Sequence, residues 1–213
     1  VKVKAKSTKL SSVIEYCVGR VAPDVVYDEG TKQLSVDMED DLVIRKDAPL
    51  EMVVPDLQKA LAGGGLNVVL TLMEEEHEVY AVGGKFEIKP REWREKNEVD
   101  VYSDEAVMNK AYSHKWTQPD HAVNTVWYQD TPREFVRTVG AFLDKRVVFD
   151  ANLPDTPRFN SYLHSRWEKK ATAEEWKTDH DPEKVLVNVS EQTGLTFKKE
   201  KRKVPVLHVS VPK

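Results

Sequence analysis

Six histidines, one cysteine and two runs of like charge are the residues with most chemistry to offer in this chain. The histidines are His77, His114, His121, His164, His180 and His208. Imidazole binds zinc and moves protons near neutral pH. A metal-dependent alternative therefore rests on His114 and His121, seven residues apart, and on His180 between Asp179 and Asp181. However, no His-x-x-x-His or His-Glu-x-x-His pair occurs, so no single helical turn presents two ligands together. Asp181 is already explained as a helix cap. No metal and no other cofactor is expected.

Nucleophilic chemistry has less to build on. The lone Cys17 sits among Val13, Ile14 and Val18 and reads as a buried core thiol. It excludes an internal disulfide and a cysteine metal cluster. No Gly-x-Ser-x-Gly elbow is present. Gly63-Gly64-Gly65 follows a helix and precedes a strand, whereas phosphate loops run from strand to helix, so it reads as a helix stop. Glu174-Glu175 reads as solvated surface charge. No catalytic residue is assigned, and the expectation is a protein that is not an enzyme.

The surviving candidates are surfaces. Lys198-Lys199-Glu200-Lys201-Arg202-Lys203 could touch nucleic acid or a lipid headgroup, and it also suits a solvated hairpin turn that protects a sheet edge. The aromatic-rich stretch from Arg158 to Trp167 reads as a strand whose edge could accept a partner by strand addition. The expected partner-binding residues are accordingly Tyr162, His164, Trp167, Lys198, Lys199, Lys201 and Arg202.

Composition narrows the class. With 213 residues, 40% hydrophobic and 32% charged, the chain can bury one large core or two modest ones and is too apolar for general disorder. A net charge of -4 gives no overall pull toward nucleic acid or an anionic membrane. No stretch approaches the ~18 consecutive apolar residues that span a bilayer. The chain starts at Val1 rather than Met, which fits an export signal already removed.

The elements that would carry these surfaces can be read from periodicity. Leu10, Val13, Ile14, Cys17 and Val18 draw one helical stripe; Leu50, Val53, Val54, Leu57 and Leu61 draw a second, with Pro55 expected to kink or split it. Strands are expected at 1–5, 25–27, 34–38, 66–72 and 78–82, the last two joined by a turn through Glu74-Glu75-Glu76. In the second half, Val123 to Tyr128 reads as a strand. Thr131-Pro132-Arg133-Glu134 combines a capping box with proline at the first helical position. Phe135, Val136, Val139, Phe142 and Leu143 should be buried. Strands at 147–149 and 158–167 follow. A helix starts at Asp181-Pro182 and stops at Thr193-Gly194, and strands at 195–197 and 204–211 flank the basic turn.

The fold class is therefore α+β: two tandem β-α-β-β-α-β-β modules, each with two helices packed on a small sheet. The first module is expected at 1–89 and the second at 122–213. Between them, 90–121 forms a structured connector carrying Trp93, Trp116 and a helix from Asp104 to Tyr112. Gly65-Leu66-Asn-Val against Gly194-Leu195-Thr-Phe, and Val25-Val26-Tyr27 against Val147-Val148-Phe149, are the closest correspondences between the halves.

The string Val123-Asn-Thr-Val-Trp-Tyr-Gln-Asp-Thr-Pro-Arg-Glu-Phe-Val, with the later Glu191-Gln-Thr-Gly-Leu-Thr-Phe, resembles the short N-terminal domain of secretins and TonB-dependent receptors. It also resembles relatives of that domain: the C-terminal domain of FecR-like anti-sigma regulators, and an uncharacterised domain of soil bacteria and planctomycetes. Arg133-Glu134-Phe135 departs from the family's usual Leu, and the segment Asn152 to Thr178 is longer than the family's. The resemblance implies a periplasmic, secreted or cell-envelope location, with the cytoplasm still open. It also implies a non-catalytic module that binds protein segments or neighbouring domains of the same envelope protein, and it supplies no catalytic residue. The metal-dependent reading and the nucleic-acid reading through 198–203 stand as alternatives.

Overall fold

The structure is a computed structural model that describes residues 2–3, 8–18, 24–37, 42–43, 48–89, 97–113, 123–166 and 171–212. The first elements are β1 (Lys2–Val3), β2 (Thr8–Lys9), α1 (Leu10–Val18), β3 (Asp24–Tyr27), a 3-10 turn (Thr31–Gln33), β4 (Ser35–Val36) and β5 (Leu42–Val43). Next come α2 (Leu50–Gly63), β6 (Val69–Gly84), β7 (Glu98–Val101), α3 (Glu105–Ser113), β8 (Val123–Asp130) and α4 (Pro132–Leu143). The chain continues with β9 (Val147–Phe149), β10 (Phe159–Arg166), α5 (Ala173–Asp179), α6 (Pro182–Thr193) and β11 (Leu195–Ser210). The fold is α+β.

Two compact units form, one from Val1–His77 with Arg202–Lys213 and the other from Glu78–Lys201. In the first, α1 packs on α2. The two apolar stripes, Leu10, Val13, Ile14, Cys17 and Val18 on α1 and Leu50, Val53, Val54, Leu57 and Leu61 on α2, are all buried in one core. α2 runs unbroken through Pro55, because buried residues on both sides of the proline hold the two ends against the same core. β2 pairs antiparallel with β4, β1 antiparallel with β5, and β3 parallel with the far end of β11, from Val206↔Asp24 to Val209↔Tyr27.

In the second unit, the far end of β6 pairs parallel with β9, from Tyr80↔Val147 to Val82↔Phe149. A separate three-stranded sheet has the order β7-β10-β8. β10 pairs antiparallel with β8 over its whole length, Phe159↔Asp130 to Arg166↔Val123, and parallel with β7, Asn160↔Glu98 to Leu163↔Val101. α4 begins where local chemistry places it. The Thr131 hydroxyl accepts from the Glu134 amide at 3.2 Å, and the Glu134 carboxylate accepts from the Thr131 amide at 3.1 Å. Phe135, Val136, Val139 and Leu143 then face a core shared with Val185, Leu186 and Val189 of α6. Phe135 meets Phe159 edge-on with centroids 5.3 Å apart.

Four features differ from the sequence expectations. Glu74–Glu76 and Lys198–Lys203 are not turns but the middles of two 16-residue strands, β6 and β11, which lie side by side. Neither run contains the Gly, Pro, Asn or Asp that a tight turn uses. Extended chain places successive charges on opposite faces, where charges of the neighbouring strand meet them: Lys199 lies 2.9 Å from Glu78. The described part of the connector, 97–113, adds strand β7 to the expected helix, which is α3 and packs on β10 and β8. The long segment after β10 holds α5, opened by a second capping box from Thr172 and Glu175. Finally, β10 occupies the interior of its sheet rather than an edge.

Gly194 ends α6 at φ +70, as its position predicts, and a Cβ there would stand 2.9 Å from the Lys85 carbonyl oxygen. Gly84, at φ +84, faces the Gly194 carbonyl oxygen so closely that a Cβ would come within 2.6 Å. Two glycines thus let β6 and α6 end against each other.

Phe135→Ala removes a fully buried ring and should lower unfolding free energy by about 3–5 kcal/mol. Thr131→Ala, which removes only one cap, should cost about 1 kcal/mol. Urea denaturation of both variants checks the order.

Candidate functional site

The side chains with the most developed chemistry lie across the three-stranded sheet. Strand alternation and register put Asp100 of β7, His164 of β10 and Thr125 of β8 on one face, with Thr125 directly opposite His164. His164 Nε2 lies 2.6 Å from the Asp100 carboxylate and His164 Nδ1 lies 3.0 Å from the Thr125 hydroxyl. With Nε2–H donating to Asp100, Nδ1 is left to accept from Thr125. Asp100 and His164 are 0% and 1% exposed, while Thr125 faces solvent.

This order of groups, carboxylate to imidazole to hydroxyl, is that of a base-activated nucleophile. Here the three groups lie one per strand, so the same bonds tie the strands together across their width. The opposite face carries Val99, Val101, Phe159 and Leu163 into the apolar core. On that face Ser161 donates to the Asp130 carboxylate at 2.6 Å, and burial pushes the Asp130 pKa up.

The two edges of the sheet are finished differently. At β7, the side-chain amide of Gln192 in α6 accepts from the Asp100 backbone N–H at 3.0 Å and donates to the Asp100 backbone carbonyl. A buried side chain thereby imitates a neighbouring strand. At β8, residues 124–129 are all exposed. Val126, Trp127 and Tyr128 are 38%, 57% and 41% exposed, so side chains on both faces of this strand meet water. Among the described residues β8 pairs with β10 alone.

The residues singled out from the sequence fall as follows. Tyr162 is half-buried on β10 and donates its hydroxyl to Glu98 at 3.1 Å. His164 is buried in the polar row just described, out of a partner's reach, because its strand is interior. Trp167, His114 and His121 lie outside the described residues. Lys198, Lys199 and Lys201 are exposed and Arg202 is half-buried, all on β11. Lys198 pairs with Glu200 at 3.1 Å and Lys199 with Glu78, so the basic run is partly neutralised within its own sheet. His180 lies tilted by 34° against Trp176 with centroids 3.9 Å apart and packs near Phe142, and its Nδ1 lies 2.8 Å from the Trp176 carbonyl oxygen.

Near His180, buried Asp179 binds the Arg166 guanidinium and also accepts from the Arg166 amide at 2.6 Å. The remaining two histidines flank one carboxylate: His208 approaches Glu75 at 2.6 Å and His77 approaches it at 3.2 Å. These bonds, His208 first and then His77, hold the Glu75 pKa below the usual carboxylate range.

Sequence reasoning missed Asp100 and Thr125, and it assigned the open edge to the wrong strand. One signal was available. Val126-Trp127-Tyr128 breaks the alternation of a half-buried strand, with no charge from Val123 to Gln129. No known protein family, curated protein or solved structure matches the chain.

Two measurements follow from this geometry. His164→Ala strips a buried carboxylate of its imidazole and should cost about 3–5 kcal/mol, as breaking a buried pair does. Thr125→Val, at the exposed end, should cost about 1 kcal/mol or less. Equal losses would contradict the picture of a clamp centred on β10. Burial also pushes the Cys17 thiol up to about 11 from 9.0, so its share of stability is whole below pH 9 and is lost as pH rises toward 11. Denaturation series across that window should show a decline that Cys17→Ala makes shallower.

Proposed function

We propose that this chain is a non-catalytic protein-interaction module of a bacterial envelope or secreted protein, working by strand addition at the outer edge of β8. The observation that carries the reading is the exposure of β8 on both faces, with Val126, Trp127 and Tyr128 open to water. An unpaired strand offers alternate N–H and C=O groups to an extended segment, and projecting aromatics supply contact area at low entropic cost. β8 carries none of the lysines, prolines or bulges by which exposed edges are usually protected.

The resemblance to the short N-terminal domain of secretins and TonB receptors agrees with such a role and with a location outside the cytoplasm. Two related halves are part of the same proposal. What supports them is a shared pairing pattern within the two units. In one, β2 pairs antiparallel with β4, and β3, the strand after α1, runs parallel to the far end of β11. In the other, β8 pairs antiparallel with β10, and β9, the strand after α4, runs parallel to the far end of β6. No helix among the described residues is long and apolar enough to cross a membrane.

Displayed libraries of extended, uncharged peptides test the reading. Selected binders should slow deuterium exchange at the amides of 123–129, and Trp127→Lys should weaken them about tenfold or more. Protection that appears elsewhere and spares β8 would remove the basis for the proposal.

A further inference from the structure

The geometry points to a second copy of this chain as the occupant of the β8 edge, paired antiparallel about a two-fold axis so that two three-stranded sheets become one of six strands. The inference rests on the reading of β8 as a docking edge and names the partner. An isologous interface sets a surface against itself, so any charge on it meets its own kind. From Val123 to Gln129 the strand has no Asp, Glu, Lys, Arg or His, and the single carboxylate that follows, Asp130, is buried and bonded to Ser161. Along the strand itself charge therefore does not oppose self-pairing, and the Arg158 guanidinium that donates to the Gln129 carbonyl oxygen at 2.8 Å lies at one end of the edge, so a two-fold axis sets its two copies at opposite ends. The Lys198 to Lys203 stretch of β11 shows the contrast, since two copies of that run would repel.

The side chains are also suited to face themselves. An axis normal to the sheet keeps each residue on its own face, so partners must be an even number of positions apart or identical. Val126 opposite Val126 then sets Thr125 against Trp127 and Asn124 against Tyr128, while a shift of one pair sets Trp127 against Trp127. Either register covers the exposed aromatics with β-branched, amide or aromatic neighbours, the cross-strand combinations that stabilise antiparallel sheets. β7 at the far side cannot compete, because Gln192 already occupies the Asp100 backbone groups.

Sedimentation equilibrium over a wide concentration range, with deuterium exchange at each concentration, tests the pairing. The expected result is a concentration-dependent doubling of mass, with slowed exchange confined to 123–129. Trp127→Lys and Trp127→Glu should each remain monomeric, and an equimolar mixture of the two should dimerise again. Because Trp127 is 57% exposed, both variants should keep the fold; Gln129→Lys, equally on the exposed edge, provides a third variant. A monomer at every concentration overturns the inference, as does a dimer that persists unchanged in all three variants. In the monomer case, peptides that still protect β8 would leave the docking edge standing, and their absence would remove both.

Discussion

A backbone N–H or C=O taken out of water must find a partner, and an edge strand has a whole row of them to satisfy. The sheet β7-β10-β8 meets this demand in two ways. On the β7 side a helix lies close, and Gln192 turns its amide to Asp100 as a strand would. On the β8 side no strand among the described residues follows, and the Arg158 guanidinium reaches the Gln129 carbonyl oxygen at one end. The difference comes from what packs nearby: α6 covers the β7 flank, whereas residues 124–129 of β8 remain exposed. The proposed function and the proposed partner both follow from that inequality.

The same sheet reconciles an apolar face with a polar one. Val99, Val101, Phe159 and Leu163 enter the core beside α4 and α6, and burial of such side chains is the main favourable term in folding. The other face buries Asp100 and His164, which is tolerated because each is hydrogen-bonded to the next strand. A buried polar row of this kind adds little net stability, yet a register slip would leave its members unpaired. It therefore fixes how β7, β10 and β8 align, and so which side chains β8 presents outward.

The two long strands show how charge can mislead. Glu74 to Glu76 and Lys198 to Lys203 each look like solvated turns when read alone. Placed beside each other, strands of opposite sign need no turn: Glu78 meets Lys199, and Glu75 is held between His77 and His208. Exposed pairs of this type contribute little energy individually. Their effect here is on structure: they let β6 and β11 remain extended for 16 residues, so that each strand contributes residues to both compact units.

Much of the fold could be read directly because its signals are local. Thr131-Pro132-Arg133-Glu134 starts a helix through bonds between residues three apart, and Gly194 stops one through its own φ angle. The stripes on α1, α2, α4 and α6 are buried as their spacing predicts, save Phe142, which is half-buried at the rim of its core, since helical period alone sets which face is apolar. Strand neighbours are another matter. Asp100 and His164 are 64 residues apart, and Asp100 and Gln192 are 92 apart. Their meeting depends on backbone amides, which are alike at every residue and carry no mark of their partner. The sequence by itself determined where α4 and α6 begin, where α2 and α6 end, and which helix faces leave water. Only the tertiary structure decided that β10 is interior, that His164 is enclosed, and that β8 has one strand neighbour among the described residues, because strand pairing is a property of the assembled chain.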